Sequence, residues 1–229
     1  MLATTNSTGG RRKWRARTVT ALCVVVVVSL VGQRAEATEQ SQLSFLHSHE
    51  IRSADTRVFA KWRAALKRYS EERVRERARK CKATLFKACY YKDWQNFLNE
   101  IRRDDKWDQL VAVNRYMNRR HYVSDSRNWG VKDYWATPGE FMARSGDCED
   151  FAIAKYLSLR QLGWSEDTLR VAVVRDLSLN VNHAVLIVYF DGRTWLLDNQ
   201  IRRVVETETV RHYRPVFSIN EKYWWRHRV

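Results

Sequence analysis

The 229-residue chain predicts an α+β protein, helices first and an antiparallel sheet after. Three observations predict it. Before residue 120, apolar side chains recur at three- and four-residue spacing. After Thr168 they gather into short runs rich in valine and leucine. Between two of those runs stands Asp191-Gly192, a strong signal for a tight hairpin of antiparallel strands.

The chain opens with a basic region that ends at Arg17, followed by an apolar run from Ala21 to Val31 and by Ala35-Glu36-Ala37. That order predicts a signal peptide over residues 1–37, cleaved after Ala37, and an exported protein starting near Thr38. The run is too short to span a bilayer comfortably. The net charge of +15 falls to +10 without those residues, because they hold six Arg/Lys and one acid. A basic surface attracts nucleic acid, anionic lipid or acidic protein. No nucleic-acid recognition motif stands in the sequence, so nucleic acid is not an expected partner and the basic residues read as a solvated face.

Removal of Cys23 with the signal peptide leaves three cysteines. Cys81 and Cys89 are close enough in sequence to bridge. Cys148 is then the odd one, a free thiol in an oxidising compartment, which favours a functional thiol over a small core residue.

From Ala37 to about Ser53 the chain is polar and reads as loosely ordered. A helix is predicted over residues 55–72 by Val58, Trp62, Leu66 and Tyr69, and the charged run from Glu72 to Lys82 reads as a solvated face or connector. Residues 38–92 thus form a helical extension. Two more amphipathic helices follow, around Trp94, Phe97, Leu98 and Ile101, then Trp107, Leu110, Val111 and Met117. A turn-rich stretch from His121 to Asp133 leads to Thr137-Pro138-Gly139-Glu140, a capping box with proline at the first helical position. The next helix begins at Cys148 after the Gly146 turn and stops at Gly163. Strands are predicted over residues 169–174, 183–190 and 193–198. Val204-Val205 and Val216–Ser218 read as short edge strands. The second strand is apolar on both faces and so central.

Cys148 stands where a helix N-terminus exposes unpaired N–H groups and the positive end of its dipole, a setting that eases thiol ionisation. If the hairpin turns at Asp191-Gly192, Phe190 pairs with Arg193 and Asp198 lies opposite Val185. His183 is then its diagonal neighbour, roughly 7–8 Å away along the backbones, within reach of an imidazole–carboxylate bond. A one-residue slip would separate them. Either residue alone reads as structural. With Cys148 they compose a thiol hydrolase: Cys148 attacks a carbonyl, His183 carries the proton and Asp198 orients the ring. The Cys148 backbone N–H is the expected oxyanion donor, with a second near Tyr134 and Trp135.

Asp133-Tyr134-Trp135-Ala136-Thr137-Pro138-Gly139-Glu140-Phe141, then GDCEDFAIAKY around Cys148, Asn182-His183-Ala184-Val185 and Leu196-Leu197-Asp198-Asn199 resemble the bacterial transglutaminase-like cysteine proteinases, including the periplasmic LapG-type adhesin proteases. The resemblance covers about Asp93 to Trp225, with Phe151 where tyrosine is common. It implies a papain-like, transglutaminase-type core over residues 93–229 with Cys148, His183 and Asp198 as triad. It also implies a calcium site on Asp147 and Glu149. Read as residues alone, those acids cap a helix N-terminus. A hard cation would in addition cancel the negative field around the thiol. In the family the substrate is a large secreted adhesin, cut near its N-terminus to release cells from a biofilm, and an inner-membrane cyclic di-GMP receptor sequesters the protease. Acyl transfer to an amine, cell-wall amide hydrolysis and a non-catalytic envelope binding module are the competing readings.

Overall fold

The computed structural model describes residues 44–229, apart from 79–80, 83 and 85–87. The expected signal peptide lies outside the described residues. The helices are α1 (Ala60–Ala78), α2 (Tyr90–Glu100), α3 (Lys106–Met117), α4 (Asp125–Asn128), α5 (Pro138–Arg144) and α6 (Cys148–Gln161). The strands are β1 (His49–Ser53), β2 (Leu169–Asp176), β3 (Val181–Phe190), β4 (Arg193–Leu197), β5 (Val205–Glu206), β6 (Tyr213–Ile219) and β7 (Trp224–Arg228). They form one sheet of order β1-β7-β6-β2-β3-β4-β5, and each neighbouring pair is antiparallel.

Local signals explain most of these elements. Asp191 and Gly192 take φ values of 52° and 68°, the left-handed pair that a two-residue hairpin turn requires. Phe190 therefore pairs with Arg193, and Leu186 with Leu197. In α5 the Thr137 hydroxyl accepts from Glu140 N at 3.2 Å, and Glu140 Oε2 accepts from Thr137 N at 2.8 Å, so both halves of the capping box form. Gly163, at φ 86°, follows the end of α6. The β3 strand is central, as its two apolar faces demand. Leu186 and Val188 join the core beneath the helices, while Val185 and Ile187 join a second cluster with Phe45 and Val210.

Three features depart from the sequence expectations. Val216–Ser218 is not an edge strand, because β6 pairs with β2 on one side and β7 on the other. The segment before Ser53 is not loosely ordered, because β1 pairs with β7 along the sheet edge. Its anchor is Arg170, 0% exposed, whose guanidinium bonds Glu50 of β1 at 2.7 Å and lies 3.6 Å from the Trp225 ring centre. The charged run after Tyr69 is not wholly solvated either. Glu72 is buried, accepting from the Thr137 hydroxyl at 3.0 Å and from Gly139 N at 3.2 Å, so it satisfies donors at the start of α5. Burial raises its carboxyl to about 7.

A buried histidine completes the β1 attachment. The Ser48 hydroxyl donates to Phe45 O, so it accepts from His227 Nδ1–H at 2.7 Å, and His227 Nε2 accepts from the Ser218 hydroxyl at 2.9 Å. Burial, aided by Arg170, lowers the imidazole from 6.5 to about 4. A depressed folded-state value means stability that is present above pH 6.5 and lost as pH falls through about 4. The contribution is about 3 kcal/mol. His227→Gln is expected to flatten the pH dependence of the urea-unfolding free energy between pH 6.5 and 4. An unchanged slope in that variant would show that other groups carry it.

Candidate active site

Three stretches distant in sequence meet here. The turn into α6 carries the thiol, β3 the imidazole, and the end of β4 the carboxylate. His183 and Asp198 are 3% and 1% exposed, and His183 Nε2 lies 2.8 Å from Asp198 Oδ1. The diagonal pairing inferred from the hairpin is the pairing present. The acid accepts three further hydrogen bonds: Gln200 N to Oδ1 at 2.9 Å, the Tyr213 hydroxyl to Oδ2 at 2.7 Å, and Asn118 Nδ2 to the backbone carbonyl at 2.7 Å. Burial pushes the Asp198 carboxyl up, but its hydrogen bonds to His183, Gln200 and Tyr213 outweigh that, and the net shift is down. An ionised Asp198 accepts Nε2–H, which leaves Nδ1 as the basic nitrogen of the ring. Gln200 Nε2 approaches Nδ1 at 3.4 Å.

Cys148 is the free cysteine among the described residues, since Cys81 and Cys89 form a disulfide. Its thiol is half-buried at the first position of α6 and faces the backbone N–H of Ala184, the residue after His183, which acts to lower the thiol pKa. The Cys148 thiol therefore lies beside the strand that carries His183. Burial raises the thiol pKa, and Glu149, whose Oε2 lies 3.2 Å from the sulfur, raises it further. Both effects oppose that of the helix N-terminus. The expected second oxyanion donor is not the Tyr134 amide, which is bonded to Asp125 Oδ2.

Acidic residues crowd the same turn. Oxygens of Asp125, Asp147 and Asp150 lie within 4.8 Å of one another, and so do those of Asp125, Asp133 and Glu149. Asp125 Oδ1 and Asp147 Oδ1 are buried and have no hydrogen-bond partner. Burial and the neighbouring acids raise the carboxyls of Asp125, Asp147 and Asp150, the last to about 9. Two orphaned carboxylate oxygens among hard oxygen donors fit a calcium ion. Asp147 and Glu149, the expected ligands, belong to these groups, one to each. Asp125 and Asp133 lie in the turn-rich stretch, where sequence reasoning found no site. Asp125 carries no distinguishing signal there, because only the fold brings α4 against the α6 turn.

Tight packing holds the turn in place. A Cβ on Gly146 would come within 2.0 Å of Asp150 Oδ2 and 2.7 Å of Asp150 Cβ, and Asp150 is itself fixed by accepting from Ala136 N at 2.7 Å. Ser145, just before, holds φ 64° and ψ −167°, a costly backbone conformation for a residue with a side chain. Gly146→Ala is expected to destabilise the protein by about 2–4 kcal/mol and to lower activity with it. Thermal unfolding and kcat/KM measured together check this, and a variant of unchanged stability would mean that the turn yields.

A cysteine at a helix N-terminus beside a buried His–Asp pair on an antiparallel sheet defines the papain-like class of cysteine proteinases. The family model for bacterial transglutaminase-like cysteine proteinases matches residues 79–227, and the chain belongs to that family. LapG of Legionella pneumophila is similar at 31% identity and a TM-score of 0.55, over 60% of this chain and 77% of that chain. Calcium-bound LapG gives 31% identity and 0.56 over 62% and 81%, and the EGTA-treated form 31% and 0.56 over 61% and 77%. No curated protein sequence matches. The chain is a cysteine protease with an α+β, transglutaminase-like core.

Proposed function

We propose that this protease is an exported, calcium-dependent endopeptidase that cuts a large surface adhesin near its N-terminus, with Cys148, His183 and Asp198 as its triad. The observation that carries the catalytic assignment is the buried His183–Asp198 hydrogen bond on the strand whose Ala184 N–H meets the Cys148 sulfur. His183 Nδ1 takes the thiol proton as sulfur attacks the scissile carbonyl carbon. The resulting oxyanion is met by the Cys148 N–H. The protonated imidazole then gives its proton to the departing amine as the C–N bond breaks, which leaves a thioester. Water, deprotonated by Nδ1, attacks that thioester and returns the thiol and a carboxylic acid. Asp198 keeps the ring in the Nε2–H tautomer and offsets the imidazolium charge.

Asp147 and Glu149, with Asp125 and Asp150 beside them, would hold the calcium. When bound, the ion supplies positive charge that neutralises the acids around the thiol. The calcium-bound form of LapG supports this reading. Periplasmic location, the adhesin substrate and sequestration by an inner-membrane cyclic di-GMP receptor rest on the family resemblance and the N-terminal segment.

The test incubates the protein with the N-terminal segment of a large secreted adhesin from the same genome, in calcium or in EGTA. One cut that requires calcium is expected. A cut that survives chelation removes the metal from the reaction. A folded enzyme that makes no cut rejects the adhesin, and cross-linked products would identify an acyl transferase instead.

A further inference from the structure

On the helical side of the molecule, away from the triad, lies an open concavity of about 730 Å³ that the protease reaction does not use. Four arginines converge on it from three elements: Arg73 and Arg77 of α1, Arg102 just after α2, and Arg160 of α6. Leu66, Tyr69, Ser70, Arg73 and Arg77 fall on one face of α1, because three-, four- and seven-residue steps return to nearly the same angle on a helix. One carboxylate, Glu221, lines the concavity, and it is bonded to Arg160 at 2.7 Å, as is Glu166 at 2.5 Å. Arg73 and Arg77 form no ion pair among the described residues. Arg73 lies 5.8 Å from the Tyr69 ring centre, and Arg102 donates to the Gln161 carbonyl at 3.0 Å. Between the arginines the wall holds the amides of Gln95 and Gln161 beside the apolar Leu66 and Leu157, and Gln95 Nε2 is buried there with no hydrogen-bond partner. Glu76 borders a smaller adjoining depression.

We infer that this groove is a docking site for an acidic, extended peptide segment of a partner protein. Guanidinium forks bind carboxylates in a bidentate way, and Arg73 and Arg77 present two such forks one helical turn apart. The concavity has the volume of a ligand-sized site, and its charge complements the segment. The groove accounts for part of the basic run that began as a solvated face. It does not depend on the triad assignment.

The test is fluorescence anisotropy of a labelled peptide containing six consecutive glutamates, titrated with the protein at low and at physiological salt. Saturable, salt-weakened binding is expected, and Arg73→Gln/Arg77→Gln is expected to weaken it at least tenfold. Lys67→Gln/Arg75→Gln removes the same charge from α1 outside the groove and is expected to leave affinity within twofold. Both double variants should keep the parent unfolding temperature, since all four side chains are exposed. Equal losses in the two variants would mean diffuse charge attraction and overturn the site. Absence of binding overturns it too, as does tighter binding of a single-stranded oligonucleotide or of anionic lipid vesicles than of the peptide.

Discussion

Cys148→Ala is expected to lose peptide-bond cleavage by at least about 10⁴-fold while its unfolding temperature stays near that of the parent. The substitution removes one half-buried sulfur atom whose contacts are the Glu149 carboxylate and the Ala184 N–H. Little packing is lost, so the effect falls on chemistry. Cys148→Ser should be as inactive, because a hydroxyl in the same acidic surroundings ionises far less readily than a thiol. Measurement of kcat/KM alongside thermal unfolding decides the matter. Activity within tenfold of the parent in either variant would falsify the covalent mechanism.

The second large effect separates two substitutions at one residue. Asp198→Ala leaves the buried His183 Nε2–H, the Gln200 N–H and the Tyr213 hydroxyl without their acceptor. A loss of about 10³–10⁴-fold in kcat/KM is expected, with some loss of stability. Asp198→Asn should cost far less, about 10–100-fold. The amide oxygen can accept from both His183 Nε2 and Gln200 N, as Asp198 Oδ1 does. The amide NH₂ then meets the Tyr213 oxygen, since a phenol hydroxyl can turn from donor to acceptor. The ring keeps its tautomer and loses only the full negative charge behind it. Equal losses in the two variants would mean that the charge, not the orientation, is what Asp198 contributes. A Tyr213→Phe background should deepen the asparagine defect if the tyrosine is the amide's partner.

The His183–Asp198 pairing was legible in the sequence because a short-range rule carried it. Asp191-Gly192 sets a two-residue turn, the turn sets the register, and the register brings His183 diagonal to Asp198. The support around the pair was not legible. Asn118, Gln200 and Tyr213 come from a helix end, a loop and another strand, and none carries a spacing that points to Asp198. The same holds for Asp125 in the acidic cluster and for Glu72 at the start of α5. A buried carboxylate in a charged run looks like its exposed neighbours until its partners are known.

By itself the sequence determined the helices with apolar stripes, the capped start of α5, the stop after α6, the central strands and the hairpin register. Each of these is decided by side chains within a turn or a tight loop of one another. Tertiary structure alone decided that β1, a polar strand at the start of the described chain, closes the sheet edge against β7. Arg170 and His227 supply that attachment across more than a hundred residues. It also decided that four arginines from three elements face one groove, and that buried acids gather beside the thiol. Non-local contacts of this kind form only when the whole chain has folded, so local periodicity carries no trace of them.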